Sequence, residues 1–194
     1  KYQSFLIKVF LKKNKLHPTK KMKNNSLSDL FKPMLTPKQM LLKGVFGGTY
    51  FSNLNNLNEI SPKIFDGLDK NLYCNNRYNT KINFFKIKSG QSKEEWFKKG
   101  WINKDDPRGW FEWYCKFYSG RIHEDDERQI KRWLAFCGPN GRWRNTIYSK
   151  IYKANLEINF SNNLSVRIQQ SLLHWSYIIN EEDYKKWKKK KELD

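Results

Sequence analysis

The sequence predicts a mainly α fold. It is a compact bundle of about five to six helices, with a small irregular or β-containing N-terminal part and a basic N-terminal arm. Three observations predict it. From Ser92 onward, apolar residues recur at helical spacing, in segments that open on capping residues and close on glycine. Aromatic residues make up 16% of the 194, enough large apolar surface to build a core and to argue against global disorder. The first ninety residues lack that periodicity and are punctuated by Asn, Pro and Gly instead.

Taken in order, residues 1–40 read as a basic, largely extended arm. Pro18, Pro33 and Pro37 break any long helix there. Phe5 to Leu11 is an apolar stretch that could dock on the body, and deleting the arm is expected to leave the body folded. An aromatic-rich helical domain is expected over 41–180, and a charged C-terminal helix or tail over 181–194. The domain opens on Gly44-Val45-Phe46-Gly47-Gly48, which calls for a tight turn or a close backbone approach. It matches neither the dinucleotide-binding nor the P-loop glycine pattern. Lys81 to Lys88 alternates partially and reads as a short strand.

The helices follow. Ser92 with Glu95 forms a capping box, and Gly100 stops that helix. Asp106 and Pro107 are expected to start the next, which carries Trp110, Trp113, Tyr114 and Phe117 on one face and stops at Gly120. A third runs from Asp125 or Asp126 to Gly138, with Ile130, Trp133, Leu134 and Cys137 inward. A fourth starts at Arg142 and turns Trp143, Ile147 and Ile151 inward. A fifth spans Ser165 to Ile178, and a charged sixth spans Glu181 to Lys191. Short connections between helices of this length favour a bundle.

Several of these residues form a distinctive set. Lys99-Gly100-Trp101-Ile102, Asp105 to Cys115, Tyr118 to Arg121, Arg128 to Trp133 and Gln170 to Tyr177 combine with Gly44 to Gly48 and Tyr50. The combination resembles a widespread family of small uncharacterised proteins found in bacteria, plants, fungi and large DNA viruses. The resemblance covers residues 40 to 178 and leaves out both basic ends. It implies a single domain with an appended arm. The family has no established activity, so no catalytic residue carries over.

Charge supplies the functional expectation. Lys and Arg number 38 against 19 Asp and Glu, for a formal charge of +19. Residues 1–43 hold eleven Lys and a single acid, Asp29, so under a quarter of the chain carries about half the excess. Such a surface attracts phosphate, and DNA or RNA is the expected partner, with other proteins of a nucleoprotein complex a further one. The competing explanation is a solvated basic surface, because thirty of the 38 are Lys. The candidate phosphate contacts are Lys12, Lys13, Lys20 and Lys21 in the arm, Arg108, Arg121, Arg128, Lys131, Arg132, Arg142 and Arg144 in the body, and Lys188 and Lys189 at the end. Arg pairs with phosphate through its fork, and aromatic faces among these residues could stack on bases. Tryptophans at helical spacing are nonetheless more often core, and Arg108 and Arg121 could pair with Asp instead.

Chemistry is less well marked. Glu112, Asp125 and Asp126 lie near basic groups, as a carboxylate hydrolase would require, but no spacing demands it. Cys115 with His123 or His174 could form a nucleophile pair. Neither histidine has a partner at i+4, and Cys74, Cys115 and Cys137 contain no C-x-x-C, so no metal and no cofactor is expected. An odd number of cysteines without a disulfide framework points to an intracellular, reducing compartment. No apolar run is long enough to span a membrane.

Overall fold

The computed structural model describes residues 27–55, 57–160 and 163–193. The expected arm lysines Lys12, Lys13, Lys20 and Lys21, and the apolar stretch Phe5 to Leu11, lie outside the described residues. Among the described residues the fold is helical, and a single Asn103–Asp106 bridge replaces any strand or sheet. The helices are α1 (Leu27–Leu30), α2 (Pro37–Leu42), α3 (Lys93–Lys98), α4 (Trp110–Tyr118), α5 (Asp126–Cys137), α6 (Arg142–Lys153), α7 (Val166–Leu173) and α8 (Glu181–Lys191). Short 3-10 turns interrupt the loops.

The core is largely aromatic. Trp113 and Trp133, from consecutive helices, both bury fully. Phe31 bridges them, with ring centroids 5.7 Å from Trp113 and 5.2 Å from Trp133. Each indole N–H finds an acceptor: Trp113 donates to Asp126 Oδ1 at 2.8 Å and Trp133 donates to the Trp175 carbonyl at 2.8 Å. Buried indoles need such partners. Ile147, Ile151, Leu172 and Leu173 close the core from α6 and α7.

Phe31 lies within the segment expected to be arm, so the 1–40 boundary falls inside the packed body. Leu35 and Met40 are buried as well. Thr36 caps α2 in a capping box with Gln39. The extended stretch before it is stitched to the chain's far end. Met34 N–H donates to the Ser176 carbonyl, Leu35 N–H donates to Ser176 Oγ, and Ser176 and Tyr114 hydroxyls both donate to the Leu35 carbonyl. Pro33 and Pro37 stop a long helix, as their chemistry requires, but they do not stop this segment from packing. Ser176 itself sits in the left-handed region at φ 58°. The chain turns there, which ends α7 well before the expected Ile178.

Two other expectations fail for local physical reasons. The 81–88 stretch is a series of turns and not a strand. Buried Asn83 takes over the hydrogen bonding: its amide donates to Tyr78 Oη, and its side-chain oxygen accepts from Phe85 N–H. The Ile82 carbonyl lies where a Cβ on Gly44 would be, at 2.0 Å, so only glycine admits that approach. The helix expected from Asp106 starts later, after Gly109 at φ 89°. Asp106 does not cap it, because its carboxylate is turned toward Lys116 and Arg121.

Candidate nucleic-acid interface

Three of the arginines expected to meet phosphate are engaged inside the molecule. Arg108 pairs with the buried Glu112 at 2.8 Å and donates to the carbonyls of Asn53 and Asn55, tying the loop to α4. Arg121 pairs with the fully buried Asp106 at 2.6 Å, and Lys116 approaches the same carboxylate at 3.2 Å. Arg144 pairs with Asp183 at 2.8 Å, fastening α6 to α8. Removing one member of such a buried pair strands the other charge, which is costly. Arg108 and Arg121 are therefore fastenings of the fold.

The remaining body positions are more open. Arg128 pairs with Asp125 but stays partly exposed, and Lys131 is exposed on α5 opposite Glu127. Arg142 is exposed, its guanidinium 5.1 Å above Trp143. Lys188 and Lys189 are exposed on α8, with Lys188 5.7 Å from the Tyr152 ring. Arg132 is half-buried between two tryptophans, 5.6 Å from the Trp101 ring and 5.4 Å from Trp175. Burial, helped by the Arg128 charge, lowers its pKa to about 10, which leaves it charged at neutral pH.

Groups that could have carried hydrolysis or acyl transfer are also committed elsewhere. Asp126 accepts from Trp113 and from the His123 N–H, and burial raises its pKa. Asp125 accepts from Arg128 and Gln129. Cys115 is fully buried, and burial pushes its thiol well above its ordinary range, where it is a poor nucleophile. His174 faces Phe46 and the Val45 carbonyl, and His123 faces Asp105, so neither faces Cys115 in the way a nucleophile pair requires. Among the described residues no cluster of His, Cys, Asp and Glu could hold a metal ion.

One surface does combine exposed aromatics with cations. At the end of α3, Gly100 at φ 64° turns the chain back, with Gly100 N–H donating to Phe97 O and Trp101 N–H donating to Trp96 O. These are the paired bonds of a Schellman cap. The turn leaves Phe97 75% exposed and Trp101 38% exposed, whereas the other seven tryptophans are buried or half-buried. Lys99 Nζ lies 5.0 Å from the Trp101 ring, and Arg132 anchors the same residue by donating to its carbonyl at 3.0 Å. Lys98 lies within this turn's sequence, and Arg128 reaches it from α5 by donating to the Gly100 carbonyl at 3.5 Å. Arg128, Lys131 and Arg132 were legible as candidates; Lys99 and Trp101 stood out only as members of the distinctive motif set, and Phe97 did not stand out. The available signal was the pair of aromatics straddling a helix-stopping glycine, where a side chain has no helix face to bury against.

No helix among the described residues is long and apolar enough to cross a membrane. No family model, curated protein or solved structure matches the chain.

Proposed function

We propose that this protein binds nucleic acid, engaging unpaired stretches of DNA or RNA without strong sequence preference. The observation that carries this reading is the Phe97–Trp101 turn: apolar rings kept in solvent, with Lys99 and Arg132 at the Trp101 ring. Large exposed aromatics are costly to leave in water, and bases offer them a flat partner. Lys99 is itself exposed, so a base replacing its ammonium on the ring frees that charge for a neighbouring phosphate. The +19 charge supplies attraction over a longer range. The engagement of Asp106, Glu112, Asp125 and Asp126 in internal pairs favours binding over hydrolysis.

The test is fluorescence anisotropy with a labelled single-stranded oligonucleotide. Trp101→Ala is expected to weaken binding by about tenfold or more, in line with ~1–3 kcal/mol per stacked base. Thermal unfolding should change little, because the ring is outside the core. Phe97→Ala should act in the same direction. Unchanged affinity in both variants would remove the strand-binding surface from this turn and leave its exposed rings for a protein partner.

A further inference from the structure

A groove of about 630 Å³ lies along one side of α8, where that helix meets the body. Its walls come from the stretch after α1, the turn between α5 and α6, and α8 itself. The volume lies within the usual range of small-molecule sites. The groove shares no residue with the Phe97–Trp101 turn, so ligand binding at one does not depend on strand binding at the other.

Arg144 lines this groove and is only 7% exposed. Its Nη2 pairs with Asp183, and its guanidinium lies 5.0 Å from the Tyr177 ring. Its Nε–H has no acceptor. That nitrogen is closed to solvent, so the match of Arg144 to an anionic oxygen lies in its charge and its Nη groups. Lys32, Lys186, Lys190 and Lys191 also line the groove. The α8 lysines come at i, i+4 and i+5, which places them on one side of that helix. Two carboxylates, Glu182 and Asp183, lie among them, but Glu182 is held by Lys186 and Asp183 by Arg144. Five cations against two carboxylates leave the groove three charges positive.

The lining is more than basic. Trp187 is held rigid, its ring stacked on Tyr184 and its indole N–H donating to Asn145 Oδ1 at 2.7 Å. Asn140 lines the same space, its Oδ1 accepting from Lys190 Nζ at 3.0 Å, whereas the Asn180 amide is spent on Ile178 O, Asp183 Oδ2 and the Asp183 N–H. A bare phosphate would fill a small part of 630 Å³ and use none of the aromatic lining. A nucleotide uses both: phosphates for the lysines and Arg144, and a base for Trp187.

We infer that this groove is a nucleotide-binding site, with the phosphates held by Arg144 and the lysine face of α8. The nucleotide could be free or a unit of a strand, because both present the same chemistry. The α8 lysines singled out from sequence, Lys188 and Lys189, lie outside the lining, whereas Lys186, Lys190 and Lys191 belong to it.

Isothermal titration of the full chain with ATP, inorganic triphosphate and adenosine tests this. ATP is expected to bind about tenfold or more tightly than either fragment, because only ATP meets both the cations and the ring. Lys186→Ala combined with Lys190→Ala should weaken ATP by about tenfold or more while leaving thermal unfolding nearly unchanged, since exposed lysines contribute little to stability. Arg144→Lys keeps the charge but removes the Nη groups, and should also weaken ATP. If that variant fails to fold, the double lysine variant still decides. Trp101→Ala should leave ATP affinity as it is, so failure here and failure of the strand-binding reading give different results. Competition identifies the source: an oligonucleotide that displaces ATP makes the occupant a strand unit, and one that does not makes it a free nucleotide. Absence of ATP binding, equal affinity for ATP and triphosphate, or an unaffected double lysine variant would each overturn the inference.

Discussion

His174 shows how one half-buried side chain can set a pH window for the whole fold. Its Nε2 lies 3.2 Å from the Val45 carbonyl, and a carbonyl only accepts, so the neutral ring carries its proton on Nε2. The ring stacks on Phe46 at 5.2 Å, and Gly90 lies against its other atoms. Burial lowers the pKa to about 4, with the Val45 carbonyl acting in the opposite sense. The unfolded chain has the ordinary value near 6.5. Between those values the unfolded state binds a proton that the folded state refuses, so stability rises with pH across the window. The His174 contribution is therefore complete above about pH 6.5 and lost as the pH falls toward 4. Asp125 and Asp183 act in a lower window. Burial opposes their charge, but Arg128 and Gln129 for one, and Asn180, Tyr177 and Arg144 for the other, hold their pKa values below the ordinary carboxylate value. His174→Gln keeps a donor near the Val45 carbonyl and removes the titration. Its unfolding temperature should vary less between pH 6.5 and 4 than that of the parent. Identical pH profiles would mean that the ring does not titrate as its burial requires.

The order of structure along the chain makes a different truncation informative at the level of elements. Deleting residues 1–26 removes a lysine-rich stretch that precedes α1, whereas deleting 1–40 also removes Phe31 from between Trp113 and Trp133 and strips the Leu35 carbonyl from Tyr114 and Ser176. The shorter deletion should unfold cooperatively near the parent temperature. The longer one should lose cooperative unfolding, because it opens a cavity in an aromatic core, and emptying one large buried side chain costs about 3–5 kcal/mol. Equal stability of the two truncations would show that the 31–40 segment is dispensable. The same contrast explains what was legible. Helices α3 to α6 and α8 announce themselves through Ser92 with Glu95, through Gly120 and Gly138, and through aromatics at helical spacing, all of which are local signals. Phe31 and Leu35 announce nothing locally, because their partners lie about 80 to 140 residues away in sequence. Candidate arginines were legible as charges but not as partners. Arg108 and Arg121 spend their charge on Glu112 and Asp106, and nothing in spacing alone separates a fastening from a phosphate contact.

Across the whole molecule, charge is spread in a way that separates two kinds of binding energy. Residues 1–26 hold eight lysines and no acid, so they supply +8 of the +19. In the described part, some of the positive charge is answered by carboxylates: Arg108, Arg121, Arg144, Lys116, Lys185 and Lys186 all have acidic partners within 4 Å. The excess of positive charge per residue is thus higher in residues 1–26 than in the rest of the chain, while the exposed aromatic turn lies in the body. Counterion release makes affinity fall with salt, by a log–log slope of about 0.7 for each phosphate neutralised on a single strand. Stacking on Trp101 carries no such dependence. Oligonucleotide affinity of the full chain should therefore fall steeply as salt rises from about 50 to 200 mM. Removing residues 1–26 should make that slope shallower, and Trp101→Ala should lower affinity by a similar factor at every salt concentration. The two changes should add, since they act on separate parts of the chain and through separate forces. If the truncated protein keeps the full slope, the lysines of the first 26 residues do not reach phosphate, and the attraction must come from body residues such as Lys131, Arg142 and Lys189. Those positions would then be the next to neutralise, one at a time, against the same salt series.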